Sequence, residues 1–425
     1  MKFEKVCVIG LGYIGLPTSS TFATNGIKVV GVDINSKVVD TLKRGEIHIH
    51  EPGLLEIVTK ALKSGMLSVS TQPEFADAFI ISVPTPFFDD KRADLTYVRS
   101  AVQSIVPYLR KGNLVVLEST SPPKTTTDIV APILEASGMK AGEDFLLCYS
   151  PERVLPGKIL SELVNNARVL GGINRTSAEA GRDLYQAFVK GEIFLTDATT
   201  AEMVKLMENT YRDINIAIAN EFSRLAERFG VDVWEAIDIA NQHPRVNILQ
   251  PGPGVGGHCI SVDPWFLVEA APDITSLIRT SREVNDAQPQ FVAELVKKAT
   301  GGNLKGKKVA VLGLAYKANV DDLRESPAVE IAHLLQTDGA LVTGYEPFKP
   351  DAVMPGLILA PTLEKAVAEA DVIVFLLAHQ PFMQLTPEVL RNISPADILV
   401  DAARVVSSPA WREAGYTITT LGVGK

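Results

Sequence analysis

The sequence contains little cysteine, no long apolar run and no excess of basic residues, and each shortage excludes a class of protein. Three cysteines, Cys7, Cys148 and Cys259, are too few for a disulfide framework, and an odd number leaves at least one thiol unpaired. The formal net charge of -9 argues against a nucleic-acid partner, which favours a basic face. The longest apolar runs, such as 372–378, are far shorter than a membrane span. We therefore expect a cytoplasmic protein with no nucleic-acid or membrane partner.

What the sequence does contain is enough for several cores. A chain of 425 residues is too long for one ordinary core, so two or three domains are expected. Hydrophobic residues make up 46% and charged residues 21%, which is typical of a globular protein. A strand pattern begins at Lys5, and we expect no signal peptide before it.

A dinucleotide-binding pattern occupies the start of the chain. A short buried strand, Lys5–Ile9, leads into the sequence GLGYIG, which is followed by a helical pattern and a second strand. In this pattern Gly10 allows a tight turn, Gly12 lets the backbone approach a pyrophosphate, and Gly15 lets helix and strand pack. Asp33 ends the second strand, where an acid holds the ribose hydroxyls and repels the extra phosphate of NADP. The pattern predicts an NAD site.

Alternating strands and helices predict an α/β protein with two Rossmann-like, doubly wound domains joined by a long central helical region. In the first domain, loops rich in Thr, Pro, Ser and Glu follow the strands 78–83, 114–117 and 145–149. Carboxyl-end loops of a parallel sheet line the ligand crevice. The strands expected in the second domain are 308–312, 341–345, 371–377 and 398–400. We predict boundaries of 1–199, 200–300 and 301–425.

The second α/β domain lacks the full glycine triplet. Its first strand is followed by GLAYK, so we do not expect it to hold a second dinucleotide in the same way. Lys317 on this loop either binds a phosphate or a sugar hydroxyl, or is a surface lysine.

A polar stripe runs along the helical stretch from 200 to 229. Lys205, Asn209 and Arg212 are spaced so that they share one helix face. An asparagine between two cations is unlike the Glu and Lys pairs of a solvated face, which favours the wall of a site. The apolar residues on the other faces predict burial against a neighbour, including a second subunit.

A glycine-rich loop, GPGVGG, precedes His258 and Cys259. Glycine inside a regular element costs stability, so four glycines in six positions suit a loop whose backbone passes close to a bound molecule. A thiol at the end of such a loop, at the opening of a helix, is accessible to a substrate. The electrostatic field at this position favours the nucleophilic thiolate. The alternative is a turn that ends in a buried structural cysteine.

The pair His48 and His50 could suggest a metal site, because two histidines two residues apart share a face of a strand. No further cluster has ligand spacing, and hydride chemistry needs no metal, so we predict none.

A thiol beside a nicotinamide site suggests oxidation at the aldehyde level. A simple alcohol dehydrogenase needs a base but no cysteine. A thiolate can add to an aldehyde, and oxidation of the adduct gives a thioester that water hydrolyses. An enzyme that performs both oxidations converts an alcohol to an acid with two NAD.

Over essentially its whole length the chain resembles the UDP-glucose/GDP-mannose dehydrogenase family. The motifs occur in the family's order: GLGYIGLP, VPTP, ESTSP, SPERVLPG, TAEMVKLMENTYRDINIAIANE, GPGVGGHCISVDP and LAYKANVDDLRESP. SPERVLPG and HPRVNILQPGPGVGGHC look most like members that act on UDP-N-acetyl-D-mannosamine for surface polysaccharides. The resemblance implies a four-electron oxidation of this UDP-sugar with NAD, with UDP-glucose or UDP-N-acetylglucosamine as alternative substrates.

The resemblance also implies roles for single residues. Cys259 would be the covalent nucleophile, and Glu152 would assist hydrolysis of the thioester. Lys205 would serve as acid/base and oxyanion stabiliser, with Asn209 and Asp263 orienting it and a water. The residues implied to hold the UDP-sugar are Arg153, Val154, Lys205, Asn209, Arg212, His243, Arg245, Gly256, Tyr316 and Lys317. Those implied to contact NAD, besides the glycines, are Tyr13, Ile14, Asp33, Thr85, Thr120, Thr126 and Arg324.

Two further features accompany the resemblance. Part of the segment 243–245 would come from a partner subunit, so a homo-oligomer, most simply a homodimer, is expected. Relatives usually carry glycine where this chain has Lys124, and a side chain there bears on the backbone near the nicotinamide and on the role of Thr126.

Two other classes of function stay open on the residues alone. In a one-step dehydrogenase Cys259 would be structural. A non-catalytic NAD-binding or redox-sensing protein would need neither Lys205 nor Asn209.

Overall fold

The computed structural model describes residues 2–49, 51–257 and 259–424, which form an α/β structure with two largely parallel sheets. Its contacts divide it into two compact units, Met1–Glu208 with Trp265–Pro272, and Asn209–Pro264 with Asp273–Lys425. Each unit holds one sheet. The predicted fold class, with two Rossmann-like sheets and a long central helix, is confirmed.

The elements of the first unit alternate between strand and helix. The strands are β1 Lys5–Ile9, β2 Lys28–Val32, β3 Leu67–Ser70, β4 Ala78–Ile81, β5 Leu114–Leu117, β6 Leu146–Tyr149, β7 Arg168–Gly172 and β8 Ile193–Asp197. The helices are α1 Gly15–Thr24, α2 Ser36–Lys43, α3 Leu54–Lys63, α4 Thr96–Ile105, α5 Ala131–Glu135, α6 Ile159–Asn165 and α7 Arg175–Tyr185, with a 3₁₀ turn at Val106–Tyr108 and a π-helical turn at Thr126–Val130.

Two helices cross the boundary between the units, α8 Ala198–Phe229 and α10 Asp263–Ala270. The other helices of the second unit are α9 Val233–Ala240, α11 Ser276–Asp286, α12 Gln288–Ala299, α13 Pro327–Thr337, α14 Leu363–Val367, α15 Gln380–Met383, α16 Pro387–Ile393 and α17 Pro409–Glu413. Its strands are β9 Lys308–Leu312, β10 Leu341–Tyr345, β11 Ile358–Leu359, β12 Val372–Phe375, β13 Ile398–Asp401 and β14 Thr417–Thr420. None of the helices formed by described residues combines the length and the apolar character that crossing a membrane requires.

The first sheet has the strand order β3-β2-β1-β4-β5-β6-β7-β8. Neighbouring strands run parallel, except that β7 is antiparallel to β6. Successive residues of β1 enter opposite cores: Val6 and Val8 pack on one face, and Cys7 and Ile9 on the other. A strand buried on both faces must be apolar throughout, which explains the continuous apolar runs of the sequence.

The second sheet has the order β11-β10-β9-β12-β13-β14, and its paired strands run parallel. The same alternation sends Val309 and Val311 to one core and Ala310 and Leu312 to the other. In both sheets the first strand therefore has the second strand on one side and, on the other, the strand that follows the outermost one, so the strand order switches sides at the strand that carries the glycine turn.

Most predicted strands are confirmed. The strands that differ are 78–83, which ends at Ile81, 145–149, which begins at Leu146, 371–377, which is Val372–Phe375, and 398–400, which extends to Asp401. Sequence analysis predicted no strand at β3, β7, β8, β11 or β14. Four of these lie at sheet edges, where a strand is partly solvated and lacks the apolar run that marks a central strand.

Candidate active site

The glycine turn after β1 has the geometry that a bound dinucleotide requires. Gly10 has φ +96°, and a Cβ there would lie 2.3 Å from the carbonyl oxygen of Ser82. A Cβ on Gly15 would lie 1.8 Å from the carbonyl oxygen of Gly10, so only glycine lets α1 begin this close to β1. Gly12 is different, because a Cβ there would meet nothing within 4 Å. The space beside Gly12 suits the approach of a pyrophosphate, so the residues present fit NAD.

Asp33 lies directly at this turn. Its Oδ2 accepts a hydrogen bond from the backbone N–H of Leu11 at 3.1 Å, and its Oδ1 accepts one from Asn35 at 2.9 Å. Tyr13 and Ile14, at the start of α1, are half-buried. The predicted ribose-binding acid and the glycine turn are therefore adjacent in the structure.

The loops after β4 and β5 are joined by Ser119, which sequence analysis did not select. Its hydroxyl accepts from the N–H of Val83 at 2.9 Å and donates to the carbonyl oxygen of Val83 at 2.7 Å. Thr85 and Thr120, predicted to contact NAD, are half-buried residues of these two loops. A local pattern gives no signal for this contact, because the partners are 36 residues apart.

Lys124 adopts the left-handed conformation, with φ +70°, which favours glycine. The loop is held by a buried carboxylate on α8: Glu202 accepts from the N–H of Lys124 at 2.6 Å and from the N–H of Thr126 at 2.8 Å. The Thr126 hydroxyl also donates to Glu202, at 2.6 Å. Burial raises the pKa of Glu202 to about 7, although these hydrogen bonds oppose the shift. Thr126 is completely buried, and its contact with NAD stays a prediction.

Glu152 belongs to a buried network in the first unit. Arg168 donates through Nη2 to Glu152 at 2.8 Å and through Nη1 to the Ser150 hydroxyl at 2.9 Å. Nη1 also lies 3.4 Å from Oε1 of Glu118. Arg153, a predicted substrate ligand, pairs with Glu208 and donates to the carbonyl oxygen of Ala167, and Val154 beside it is half-buried.

The polar stripe on α8 is not one uniform face. Lys205 is 8% exposed and Asn209 is 7% exposed, whereas Arg212 is exposed. A solvated face is therefore the wrong interpretation for the first two residues. Asn209 donates through Nδ2 to Oδ2 of Asp263 at 2.6 Å, which brings two of the predicted catalytic residues together.

Cys259 is exposed, whereas Cys7 and Cys148 are buried, and none of these three described cysteines forms a disulfide. Burial raises the pKa of both Cys7 and Cys148, which suits inert core residues. The carbonyl oxygen of Cys259 accepts from the N–H groups of Val262 and Asp263, at 3.0 and 2.8 Å. Helix α10 therefore begins at Asp263, after a turn, and not at Cys259 as the sequence suggested. His258 lies outside the described residues.

The glycine loop before Cys259 approaches its own chain, which corrects part of the sequence interpretation. A Cβ on Gly256 would lie 2.1 Å from the carbonyl oxygen of Glu325, and one on Gly254 would lie 2.9 Å from Pro327. Gly257, with φ +86°, packs against the ring of Tyr316, which a Cβ would approach to 2.7 Å. These glycines are needed for packing inside the second unit, whereas sequence analysis assigned them to the approach of a bound molecule.

The segment after β9 carries the predicted sugar ligands Tyr316 and Lys317. Glu346, buried at the end of β10, accepts from the N–H groups of Leu314 and Ala315 at 2.8 and 2.9 Å. His379 lies 3.1 Å from Glu346 through Nε2 and accepts from the N–H of Asn319 through Nδ1 at 2.9 Å. The pair Glu346 and His379 therefore fixes both ends of this loop, and sequence analysis missed it.

Three predicted residues lie on the surface of the second unit. His243 and Arg245 follow α9 and are exposed, and the N–H of Arg245 donates to Nδ1 of His243 at 3.3 Å. Arg324, predicted to contact NAD, is exposed and donates to Asp322 at 2.7 and 2.8 Å. Among the residues described, no group of three or more His, Cys, Asp or Glu could hold a metal ion; His50 lies outside them.

Comparison with known proteins assigns the family. Models of the UDP-glucose/GDP-mannose dehydrogenase family match in three parts: the NAD binding domain over residues 4–189, the central domain over 199–287 and the UDP binding domain over 310–408. UDP-N-acetyl-D-mannosamine dehydrogenase of Methanocaldococcus jannaschii is 48% identical over 99% of this chain and 97% of its own. NDP-N-acetyl-D-galactosaminuronic acid dehydrogenase of Ralstonia nicotianae is 49% identical over 92% of this chain and 95% of its own. The solved structure of UDP-D-ManNAc dehydrogenase from Pyrococcus horikoshii has a TM-score of 0.92 at 40% identity, covering 99% of both chains.

The chain therefore belongs to the UDP-glucose/GDP-mannose dehydrogenase family. It is an NAD-dependent nucleotide-sugar dehydrogenase, as the glycine turn and the motif order predicted.

Proposed function

We propose that this family member oxidises UDP-N-acetyl-D-mannosamine at C6 to UDP-N-acetyl-D-mannosaminuronate through a thioester on Cys259. The observation that carries the proposal is the exposed Cys259 thiol on a turn that leads directly into Asp263, whose carboxylate is hydrogen-bonded by Asn209. Relatives named for this substrate cover nearly the whole chain and support the choice of sugar.

The reaction balances as a four-electron oxidation. One primary alcohol, two NAD⁺ and one water give one carboxylate, two NADH and three protons. NAD, when bound at the glycine turn, accepts a hydride in each oxidation. Between the oxidations the Cys259 sulfur adds to the aldehyde carbon to form a thiohemiacetal, and Lys205 manages the proton and the charge on oxygen.

The contact between Asn209 and Asp263 supports this division of roles. Lys205 and Asn209 are one turn apart on α8, and Asn209 is hydrogen-bonded to Asp263. A buried amide fixed in this way can present its remaining polar atoms to the lysine or to a water. The predicted contacts of the UDP-sugar and NAD residues, and the domain boundaries 1–199, 200–300 and 301–425, stay predictions.

The sugar is the part of the proposal most open to a direct test. A relative named for N-acetyl-D-galactosaminuronic acid is as similar as those named for UDP-N-acetyl-D-mannosamine, which makes the galactosamine sugar a second candidate. NADH release should be measured with UDP-linked N-acetylmannosamine, N-acetylgalactosamine, N-acetylglucosamine and glucose. The proposal expects the highest kcat/KM for the first, and a higher value for any other sugar would contradict it.

We also propose that two copies of the chain associate through the C-terminal half of α8. A groove of about 290 Å³ in the second unit is lined only by apolar side chains. They are Phe222, Leu225, Ala226, Phe229, Val231, Val233, Ala236, Ile237, Ala240 and Ile248. Phe229 is 71% exposed at its edge, and such a contiguous apolar surface is typical of an interface.

Light scattering tests the association. The wild-type protein should be at least a dimer at micromolar concentration, and Leu225→Glu should give monomers because it places a charge in the groove. Val389→Glu, at another exposed apolar position, is the matched control and should leave the assembly intact. A wild-type monomer would contradict the proposal.

The proposal places the reaction in the cytoplasm, because an exposed catalytic thiol must stay reduced. The uronate product would serve a glycosyl transfer that builds surface polysaccharide, as the resemblance implies.

A further inference from the structure

Arg168 is a buried cation at the edge of the sheet where the parallel strands end. It opens β7, which runs antiparallel to β6 with Tyr149 opposite Gly171. Because β7 runs in the opposite direction, its first residue lies beside the segment that follows the last residue of β6. That edge of a parallel sheet is where ligands bind. The antiparallel strand therefore delivers a guanidinium to the residues 150–152.

Three contacts fix the guanidinium. Nη1 donates to the Ser150 hydroxyl at 2.9 Å and lies 3.4 Å from Glu118, while the guanidinium lies 4.3 Å from the ring centre of Tyr185. The Arg168 side chain is 5% exposed, so these contacts are shielded from solvent. Burial opposes the charge of Arg168, but the nearby carboxylates outweigh it and raise its pKa.

Glu118 contacts the same nitrogen of the guanidinium that donates to Ser150. The Tyr185 hydroxyl donates to Glu118 Oε1 at 2.5 Å, and Glu118 Oε2 has no hydrogen-bond partner among the described residues. Burial raises the pKa of Glu118 to about 7. A buried acid with one unsatisfied oxygen adds little stability, so the arrangement exceeds what packing alone requires.

Glu152 accepts from the other terminal nitrogen of the guanidinium. Arg168 Nη2 donates to its Oε2 at 2.8 Å, and the N–H of Arg153 donates to its Oε1 at 2.7 Å. One donor on each oxygen fixes the plane of the carboxylate. Each oxygen keeps a second lone pair that can accept a hydrogen bond from water.

We infer that Arg168, held by Glu118, Ser150 and Tyr185, is the positioning residue that orients Glu152 toward the hydrolytic water. The inference rests on the proposed thioester mechanism. In hydrolysis the water oxygen bonds to the acyl carbon while the bond from that carbon to the Cys259 sulfur breaks. The sulfur leaves with the electron pair as thiolate, and the water gives up two protons, one of them through Glu152. Arg168 touches neither the acyl group nor the water, and acts only through the carboxylate.

The test separates hydrolysis from the oxidations that precede it. Arg168→Lys keeps a cation but loses the fork that reaches Ser150 and Glu152 together. The rapid NADH phase of a single turnover should stay within about twofold of wild type, whereas the steady-state rate should fall roughly 10- to 100-fold. Intact mass should show an accumulated sugar acyl adduct on the protein. Hydroxylamine cleaves thioesters without a positioned water, so it should restore turnover.

A double-mutant cycle shows whether Arg168 acts through Glu152. In the Glu152→Gln background, Arg168→Lys should slow hydrolysis by less than about twofold further. Ser150→Ala removes one contact of the guanidinium with little loss of volume and should give a smaller accumulation of adduct. It keeps the test available if Arg168→Lys fails to fold. Arg282→Lys, at a buried arginine paired with Asp213, is the control for lost stability and should give no adduct.

The outcomes distinguish this inference from the proposed function. Wild type that yields one NADH per sugar would overturn both. Two NADH per sugar, with no adduct in Arg168→Lys or Ser150→Ala, would overturn only the role of Arg168. An equal loss in the fast and slow phases, unchanged by hydroxylamine, would show that Arg168 is merely structural.

Discussion

The two sheets begin with the same strand order and with turns of related sequence, yet the acid beside each turn makes different contacts. The first turn is GLGYIG and the second is GLAYKA, so Gly12 and Gly15 correspond by spacing to Ala315 and Ala318. Asp33 accepts one turn amide and is partly exposed. Glu346 accepts two and is 2% exposed. Asp33 therefore remains accessible to a ligand, whereas Glu346 is buried and accepts hydrogen bonds from the protein's own N–H groups.

His379 completes the difference. It lies against Glu346 and accepts a hydrogen bond from the N–H of Asn319, so Glu346 is engaged by the protein's own groups. The missing glycines predicted that this unit would not hold a second dinucleotide. In the structure Glu346 is turned inward and orders the loop that carries Tyr316 and Lys317, and the absence of a second dinucleotide stays a prediction.

The loops two strands further along each sheet are more alike. Glu202 accepts backbone N–H groups of the loop after β5, and Asp401 accepts those of Ala403, Val405 and Val406 after β13. Both loops contain a cation in the left-handed conformation, Lys124 at φ +70° and Arg404 at φ +60°. A buried acid can therefore hold such a strained turn whether it comes from the strand itself or from a distant helix.

The largest effect on stability and NAD binding is expected from a substitution of Gly15. An alanine Cβ would lie 1.8 Å from a backbone oxygen, so Gly15→Ala should destabilise the first unit by about 3 kcal/mol or more and abolish NAD binding. Urea unfolding and calorimetric titration with NAD measure the two effects. Ala318→Gly in the second turn is the counterpart and should create no NAD site. Normal NAD affinity in Gly15→Ala would contradict the comparison.

Gly12→Ala separates the effect on NAD affinity from the effect on folding stability. No atom lies within 4 Å of the added Cβ, so the free energy of unfolding should change by less than about 0.5 kcal/mol. NAD affinity should nevertheless fall roughly 10- to 100-fold, because the methyl group occupies the space for the pyrophosphate. Calorimetry on the folded variant gives the dissociation constant. Unchanged affinity would mean that the first turn binds no dinucleotide there.

Glu202, the buried acid that holds the loop after β5, predicts a pH effect in the first unit. The folded pKa of Glu202 is raised to about 7 from an ordinary 4.5, so the stability associated with its neutral form is present below pH 4.5. That stability is lost as the pH rises toward 7. Glu202→Gln removes this ionisation, so its destabilisation should be greater at pH 5 than at pH 8, by on the order of 2 kcal/mol. Unfolding midpoints at both pH values measure it, and an equal loss at both would refute the shift.

The smallest effect concerns the two strained cations. Lys124→Gly should stabilise the protein by up to about 1 kcal/mol, because glycine adopts a positive φ without steric cost. Lys124→Ala keeps the strain and should show no gain. Arg404→Gly should gain less, because Arg404 also pairs with Asp238 at 3.0 Å. Thermal unfolding of the three variants ranks them, and a loss of stability in Lys124→Gly would contradict the interpretation.

Local patterns predicted the parts of this molecule that depend on neighbours in sequence. The strand Lys5–Ile9, the glycine turn and Asp33 are within one supersecondary unit, and their arrangement follows from spacing alone. The stripe of Lys205 and Asn209 was also visible, because helix periodicity places both on one face. The departure at Lys124 was visible in the sequence, but its left-handed backbone was not.

The unpredicted parts depend on partners far apart in the chain. Arg168 and Glu118 are 50 residues apart, Glu202 and Thr126 are 76 apart, and His379 and Glu346 are 33 apart. No periodicity links such positions. Sequence analysis assigned the glycines before Cys259 to the approach of a ligand. The segment that they contact, 316–327, lies some 60 residues later in the chain, so the local sequence contained no sign of this contact.

The most direct test of the account is a single turnover of Cys259→Ser with limiting UDP-N-acetyl-D-mannosamine. The variant should bind NAD and the sugar nucleotide, because its backbone and the Asn209 to Asp263 contact are unchanged. Wild type should give two NADH per sugar. The variant should stop short of two, with aldehyde in solution or a slowly hydrolysed sugar ester on the new hydroxyl visible by intact mass. Full two-step turnover by the variant would show that Cys259 is structural and would contradict the proposed mechanism.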